Sequence, residues 1–422
     1  MECRSGGSEI WYYLAAVANS SKVAWVRELL SNEILGAVAL GLLLCQGSAS
    51  LILLSRLIKG AVRRPPLLPQ TSIPDRSGCV SVVVPTLNEV DRIAPCLLGL
   101  SQQGDEVREI LIVDSNSQDG TRELVKEAAR ADSRFNLMTD DPLPAGWVGR
   151  PWALHSGFLG SSTESEWILG IDADTQPQPG LVNSLVAAAI EDGYDLVSLS
   201  PQFMLEDLGE WWLQPALLMT LLYRFDSSGV RAQSPDRVMA NGQCFLCRRA
   251  VLAQLDGYTS AASSFCDDVT LARNAAKQGF QVGFLDGAKV IRVRMYAGMA
   301  ETWREWGRSL DLKDATTPPQ LWGDLALLLL VQGLPIPLTI AFWSLGSWEN
   351  SFLTLQLAIC LNLFLVAIRF ALLLAIYPSY YRERFSVAAL GFWLSPFADA
   401  IAVLRIFLSA FQQPKQWRGR VY

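Results

Sequence analysis

The chain reads as an α/β protein, a mostly parallel sheet domain inserted between transmembrane helices. Three observations support this. Short runs rich in Val, Ile and Leu alternate with polar or amphipathic stretches of helix length from about residue 79 to 294. The composition is 50% hydrophobic and 18% charged with a mean hydropathy of +0.24, apolar for a soluble protein of 422 residues. Charge-free segments of membrane length flank the alternating region on both sides.

In chain order, residues 1–33 form an N-terminal segment and 34–58 a transmembrane anchor. Ile34 to Ser55 carries no charge, and Arg56, Lys59, Arg63 and Arg64 follow at once. Flanking Lys and Arg stay cytoplasmic, so the chain enters the cytoplasm near Arg56. A signal peptide is the competing reading, but the span starts late and no small-residue cleavage site follows it.

Residues 79–294 form the α/β domain, and 295–320 an interfacial amphipathic linker. Residues 321–411 form a C-terminal membrane region of two crossings plus a partial or re-entrant element. Leu325 to Trp348 and Ser351 to Ile368 are the charge-free crossings, joined by the Gly346–Asn350 link, which has no Lys or Arg. The basic-residue rule puts that link outside. The stretch from Ser386 to Phe411 is interrupted by Pro396, Asp399 and Arg405, which suits a re-entrant hairpin. A full crossing there would export the basic tail, 412–422, with Lys415, Arg418 and Arg420.

Within the domain, Val80 to Val84 is a buried strand stopped by Pro85, and Ile110 to Val113 a second that ends at Asp114. Phe135 to Met138, Trp167 to Ile171 and Asp195 to Leu199 follow, separated by helices such as Thr121 to Ala131 and Leu181 to Asp192. Ligands of such sheets bind at the carboxyl ends of the strands. Asp114, Asp172 and Asp174 lie at those ends, and Asp267-Asp268 opens a later helix. Asp172 and Asp174 are one residue apart, so they start out on one face of an extended chain. Their oxygens suit Mg²⁺ or Mn²⁺, ions that also bind phosphates.

Several classes are disfavoured. A net charge of −6 without a long basic run speaks against a nucleic-acid partner. Pro85-Thr86-Leu87-Asn88-Glu89 follows the first strand in place of a Gly-rich phosphate loop, against a dinucleotide Rossmann site or a P-loop. The eight cysteines lack framework spacing, and Cys244 and Cys247 read as buried apolar residues in a strand-like run. With His155 the only histidine, no His-based metal site can be built; it reads as a structural hydrogen-bonder.

Val82 to Glu89, Val113 to Thr121, Asp172-Ala173-Asp174 and Asp267-Asp268 together resemble family 2 glycosyltransferases of the GT-A fold, a Rossmann-like sheet domain. The likeness spans roughly residues 80 to 290. Leu143 to Ala153 and Trp417-Arg418-Gly419-Arg420 narrow it to membrane-bound members resembling carotenoid (myxol 2′-O type) and hopanoid-associated glycosyltransferases.

The resemblance implies a nucleotide-sugar donor, a membrane-lipid acceptor at the bilayer and a divalent cation, Mg²⁺ or Mn²⁺. It places Pro85, Thr86, Asn88, Glu89 and Asp114 in the donor pocket. The structural alternative has Asn88-Glu89 capping a helix and Asp114 ending a strand. Asp174 and Asp172 would hold the cation, Asp174 more directly, and Arg150 in the Gly146–Pro151 loop would pair with the diphosphate. Asp268, beside Asp267, would be the general base, its pKa raised by its neighbour. The alternative is an acidic helix start favoured by the dipole.

Asp119 reads as a cap of the Thr121 helix. Trp211, Trp212, Trp303, Arg304 and Trp306 are acceptor-side candidates, with the Trp211-Trp212 helix lying in the membrane interface or forming core. The Trp303-Arg304-Glu305-Trp306 stretch departs from the Gln/Arg-x-x-Arg-Trp pattern of processive synthases. The implied activity is inverting transfer of a single sugar to a carotenoid or other terpenoid hydroxyl. Polyprenyl-phosphate or other glycolipid transfer and a non-catalytic membrane scaffold are the alternatives.

Overall fold

The computed structural model describes residues 32–71, 76–232, 234–306, 312, 315–345, 353–382, 386–411, 416–417 and 420–421. Residues 1–31, the Gly346–Asn350 link, Gly307-Arg308, Arg384, Lys415 and Arg418-Gly419 lie outside them.

β1 (Val80–Thr86) is buried along its whole length, as a run of β-branched residues in a central strand requires. β2 (Val107–Asp114) and β4 (Trp167–Ile171) pair with it in parallel, Thr86 facing Asp114 and Val83 facing Gly170. β3 (Phe135–Thr139) extends the β2 side. Beyond β4 lie β8 (Cys244–Arg248), β6 (Leu196–Ser200) and β9 (Val282–Asp286), giving the order β3-β2-β1-β4-β8-β6-β9.

The sheet is mostly parallel, but β8 runs antiparallel to both neighbours. Its register, Ile171 opposite Cys244, starts it at the edge where β4 ends. The reversal lays the residues before Cys244 against the Asp172 turn, and Asp172 N donates to Gln243 O at 3.3 Å.

Side chains alternate between two cores. Val82, Val84, Ile110 and Ile112 face the helices Ile93–Ser101 and Leu181–Glu191. Val83, Leu111 and Val113 face the helices Gly149–Gly160 and Asp267–Lys277. Gly157 lets the first of these approach β1 closely, since a Cβ there would overlap Val83.

Among the described residues three helices are long and apolar enough to cross a membrane: Gly36–Gly60, Leu353–Ser379 and Val387–Phe411. Pro318–Gly333 and Pro335–Ser344 form a pair bent by 49° that passes the same test as a unit. The sequence reading put the interruption in 386–411 and an unbroken crossing in 325–348. A bend of 49° falls at Pro335, whose ring and missing N–H end the preceding helix. The 387–411 stretch does turn through short 3₁₀ segments near Pro396, yet it continues to Phe411.

Arg369 and Asp399, both within these helices, are buried as an ion pair. Arg369 donates to Asp399 at 2.8 and 3.1 Å, and Gln332 donates to the same carboxylate at 3.2 Å. Gln46 and Asn362 exchange amide hydrogen bonds at 3.0 Å between the helices Gly36–Gly60 and Leu353–Ser379.

The helix Leu208–Arg224 is the centre of a further core that includes the apolar helices. Trp211 is 3% exposed, packed against Tyr380 and Phe392. Of the two readings, interface or core, the packing fits core: apolar residues around most of its circumference bury it between the α/β domain and the apolar helices. A small sheet joins the two parts. β7 (Gln202–Met204) pairs with β10 (Ile291–Val293) and with β11 (Tyr380–Tyr381), while β5 (Thr175–Pro177) completes it beside β10.

Candidate active site

Past β4, the carbonyl of Asp172 accepts from the Thr175 amide at 3.2 Å and its hydroxyl at 2.8 Å. This turn fixes Asp172-Ala173-Asp174 at the carboxyl edge of the sheet, with both carboxylates half-buried. The helix Asp267–Lys277 starts nearby with its acidic pair in the first turn, where the dipole favours negative charge.

Arg150, in the first turn of the helix Gly149–Gly160, joins these elements. Its Nε donates to Asp172 Oδ1 at 2.9 Å, its Nη1 pairs with Asp267, and its Nη2 donates to Gly242 O at 2.8 Å. Gly242 leaves room for this fork: a Cβ there would sit 2.8 Å from the Arg150 Cζ and push the guanidinium aside. The sequence reading put Arg150 in the Gly146–Pro151 loop, and the structure places it in the first turn of the helix Gly149–Gly160. Its planar fork is already committed to two carboxylates and a carbonyl.

The two neighbouring aspartates differ in kind. Asp267 is buried and tied to Arg150. Asp268 is partly open and accepts from Gly242 N at 2.5 Å and Val269 N at 2.8 Å. Burial, and then the charge of Asp267, push its pKa up to about 6.

A cavity of about 630 Å³ is lined by Arg150, Asp172, Asp174, Asp267 and Asp268. The same cavity is lined by Leu218 and Leu222 of the helix Leu208–Arg224 and by Ala375 and Ile376 at the end of the helix Leu353–Ile376. Arg304 and Trp306 reach it; Trp211, Trp212 and Trp303 are not among its lining residues and pack with the membrane-side core instead.

Pro85, Thr86, Asn88, Glu89 and Asp114 are absent from the described lining as well. They form a separate hydrogen-bonded corner at the same sheet edge. Thr86 Oγ1 approaches Asp114 Oδ1 at 3.4 Å, Ser117 N donates to Asp114 Oδ2 at 3.1 Å, and Gln118 N donates to Asn88 Oδ1 at 2.9 Å. Asn88 does not cap the following helix, which has no side-chain cap. The Asp119 carboxylate accepts from Thr121 N and from Val90 N, both at 3.0 Å, stitching two loops together as well as holding the helix start.

His155 is a hydrogen-bond acceptor for Tyr258 N at 3.3 Å, stacked beside Trp152. Cys244 and Cys247 are fully buried, and burial raises both thiol pKa values. Gly242 and the apolar wall were not foreseen. Gly242 has a faint signal, an Asn-Gly dipeptide just before an apolar run.

Among the described residues no group of three or more His, Cys, Asp or Glu is placed to hold a metal alone. Asp172 and Asp174 nevertheless fit a hard divalent ion, which takes one or two carboxylates and completes its shell with substrate phosphates and water.

An otherwise parallel sheet with one reversed strand and acidic groups at its carboxyl edge defines an α/β domain of the GT-A fold. Residues 81–256 match the model of glycosyl transferase family 2. The matched segment contains Asp114, Asp172 and Asp174 and stops before Asp267.

The chain is 25% identical over 249 residues to a 4,4′-diaponeurosporenoate glycosyltransferase of Staphylococcus haemolyticus, covering 57% of this chain and 64% of that protein. It is 31% identical over 124 residues to an undecaprenyl-phosphate 4-deoxy-4-formamido-L-arabinose transferase of Pseudomonas fluorescens, covering 28% of this chain and 34% of that protein. It therefore spans less than two thirds of either relative. A mannosyltransferase from Pyrobaculum calidifontis, solved with GDP-Man and Mn²⁺, superposes with a TM-score of 0.52 at 18% identity, over 89% of this chain and 99% of that one, which shows a shared fold.

Proposed function

We propose that this protein is a membrane-bound, inverting glycosyltransferase. It moves one sugar from a nucleotide-diphosphate donor to a hydroxyl of a membrane lipid, of carotenoid or other terpenoid type, with its catalytic face in the cytoplasm. The observation that carries the reading is the single cavity lined both by the carboxylates and by the ends of two apolar helices. A water-soluble donor and an apolar acceptor both find matching walls there.

Asp268 takes the proton of the acceptor hydroxyl as that oxygen bonds to the anomeric carbon. The bond from that carbon to the diphosphate oxygen breaks, and the nucleotide diphosphate leaves. Attack from the face opposite the leaving group inverts the centre. The amides of Gly242 and Val269 hold the Asp268 carboxylate in place for this step. Asp174 and Asp172 are the residues that would hold a divalent cation, which would supply charge neutralisation for the leaving diphosphate. Pro85, Thr86, Asn88, Glu89 and Asp114 form the corner that receives the nucleoside, and Arg304 and Trp306 face the acceptor.

The identity with the undecaprenyl-phosphate transferase supports a second reading, transfer to a polyprenyl phosphate. A phosphate acceptor has no proton to surrender and needs no base. The test is to incubate purified protein with labelled nucleotide sugars and extracted membrane lipids. Label in an alkali-stable terpenoid glycoside supports the first reading, label in an acid-labile polyprenyl phosphosugar supports the second, and no lipid label rejects both.

A further inference from the structure

We propose that Arg150 is an internal counter-cation that makes divalent-cation binding depend on the donor diphosphate. The inference rests on the reading of Asp172 and Asp174 as the cation site and goes beyond it.

The guanidinium contacts one of those two carboxylates directly, through Nε and Nη2, each 2.9 Å from Asp172 Oδ1. Its remaining donors are committed to Asp267 and to Gly242 O. Three elements distant in sequence hold it there: the start of the helix Gly149–Gly160, the loop before β8 and the start of the helix Asp267–Lys277. Gly242 provides the space, since any side chain at that position would displace the fork.

A guanidinium never deprotonates in a protein, so this positive charge is permanent. It offsets one of the two negative charges of Asp172 and Asp267 when no donor is present and repels a second cation approaching Asp172. The charge balance changes when a diphosphate arrives. Its oxygens bring enough negative charge to satisfy both the guanidinium and a divalent ion, so the two ligands enter together. Arg150 thereby acts as a positioning residue that discourages metal occupancy of an empty site. At the permittivity of a partly buried site, removing one unit charge beside a divalent ion changes its affinity by roughly tenfold or more.

The test uses the full chain in detergent and isothermal titration with Mn²⁺ alone, then Mn²⁺ with pyrophosphate as a probe independent of base and sugar. Arg150→Gln is expected to bind Mn²⁺ alone roughly tenfold tighter than the wild type. Arg150→Lys, which keeps the charge, is expected to stay close to wild type. A merely structural role for Arg150 predicts no gain in affinity. Folded Arg150→Gln that binds Mn²⁺ alone no better than wild type overturns the inference.

If Arg150→Gln does not fold, Arg150→Met decides, because it removes the same charge and keeps the apolar stem. Tighter Mn²⁺ binding supports the proposal, and unchanged binding overturns it. The underlying site is checked separately: no Mn²⁺ bound by any form, even with pyrophosphate, rejects the cation site itself.

Discussion

Gly242 donates its amide proton to the Asp268 carboxylate at 2.5 Å while its carbonyl accepts from Arg150 at 2.8 Å. One residue without a side chain therefore orients both the proposed base and the cation that neutralises its neighbour. The acidic cluster is held as a unit by this loop, and it faces an apolar wall across the same cavity.

The first prediction concerns pH. Burial and the charge of Asp267 raise the Asp268 pKa from 3.8 to about 6. A base has to be unprotonated, so kcat for a hydroxyl acceptor should rise with pH through about 6 and then level off. The effect on stability has the opposite sign. The folded state holds the extra proton between the two values, so this contribution is present below 3.8 and is lost as pH rises through about 6. A pH–rate profile that stays flat across that window contradicts the assignment.

A second prediction separates the cation ligands from the base. Asp174→Asn should abolish Mn²⁺-dependent donor binding measured by titration, and Asp172→Asn should weaken it less. Both variants should keep the wild-type melting temperature within a few degrees, because the carboxylates are only half-buried.

The apolar wall gives a third. Leu222→Trp narrows the cavity on the side of the helix Leu208–Arg224. The KM for the lipid acceptor should rise by roughly tenfold, equivalent to about 1.4 kcal/mol, while donor affinity stays unchanged. Equal loss of donor affinity would mean that the wall does not serve the acceptor.

A fourth tests the apolar helices. Arg369→Met leaves Asp399 buried without its cation and should cost about 3–5 kcal/mol. The double variant Arg369→Met/Asp399→Leu should recover most of that loss, read from thermal unfolding in detergent. A double variant no more stable than the single one contradicts a paired role.

Much of the domain was legible in the sequence because its signals are local. Continuous Val and Ile runs announced β1, β2 and β4, and the turn residues after them announced Asp114, Asp172 and Asp174 at strand ends. The acidic start of the helix at Asp267 was equally plain.

What escaped was relational. The Cys244–Cys247 run reads as a strand, but period and composition carry no direction, so its reversal was invisible. The bridge from Arg150 to Asp267 spans 117 positions and leaves no local trace. The bend at Pro335 did have a marker in Gly333-Leu334-Pro335, which the continuous apolar run around it concealed. Likewise, the Trp211 helix is apolar on most sides, a pattern that suits an interface and a core alike until its neighbours are known.

The most direct test of the central claim is the rate of sugar transfer to a terpenoid hydroxyl by Asp268→Asn, in protein shown by titration to bind donor and Mn²⁺ normally. The account predicts a fall in kcat of roughly 10²–10⁴-fold with little change in donor affinity. Transfer at the wild-type rate would show that this carboxylate does not take the proton, and the proposed chemistry of the cavity would be wrong.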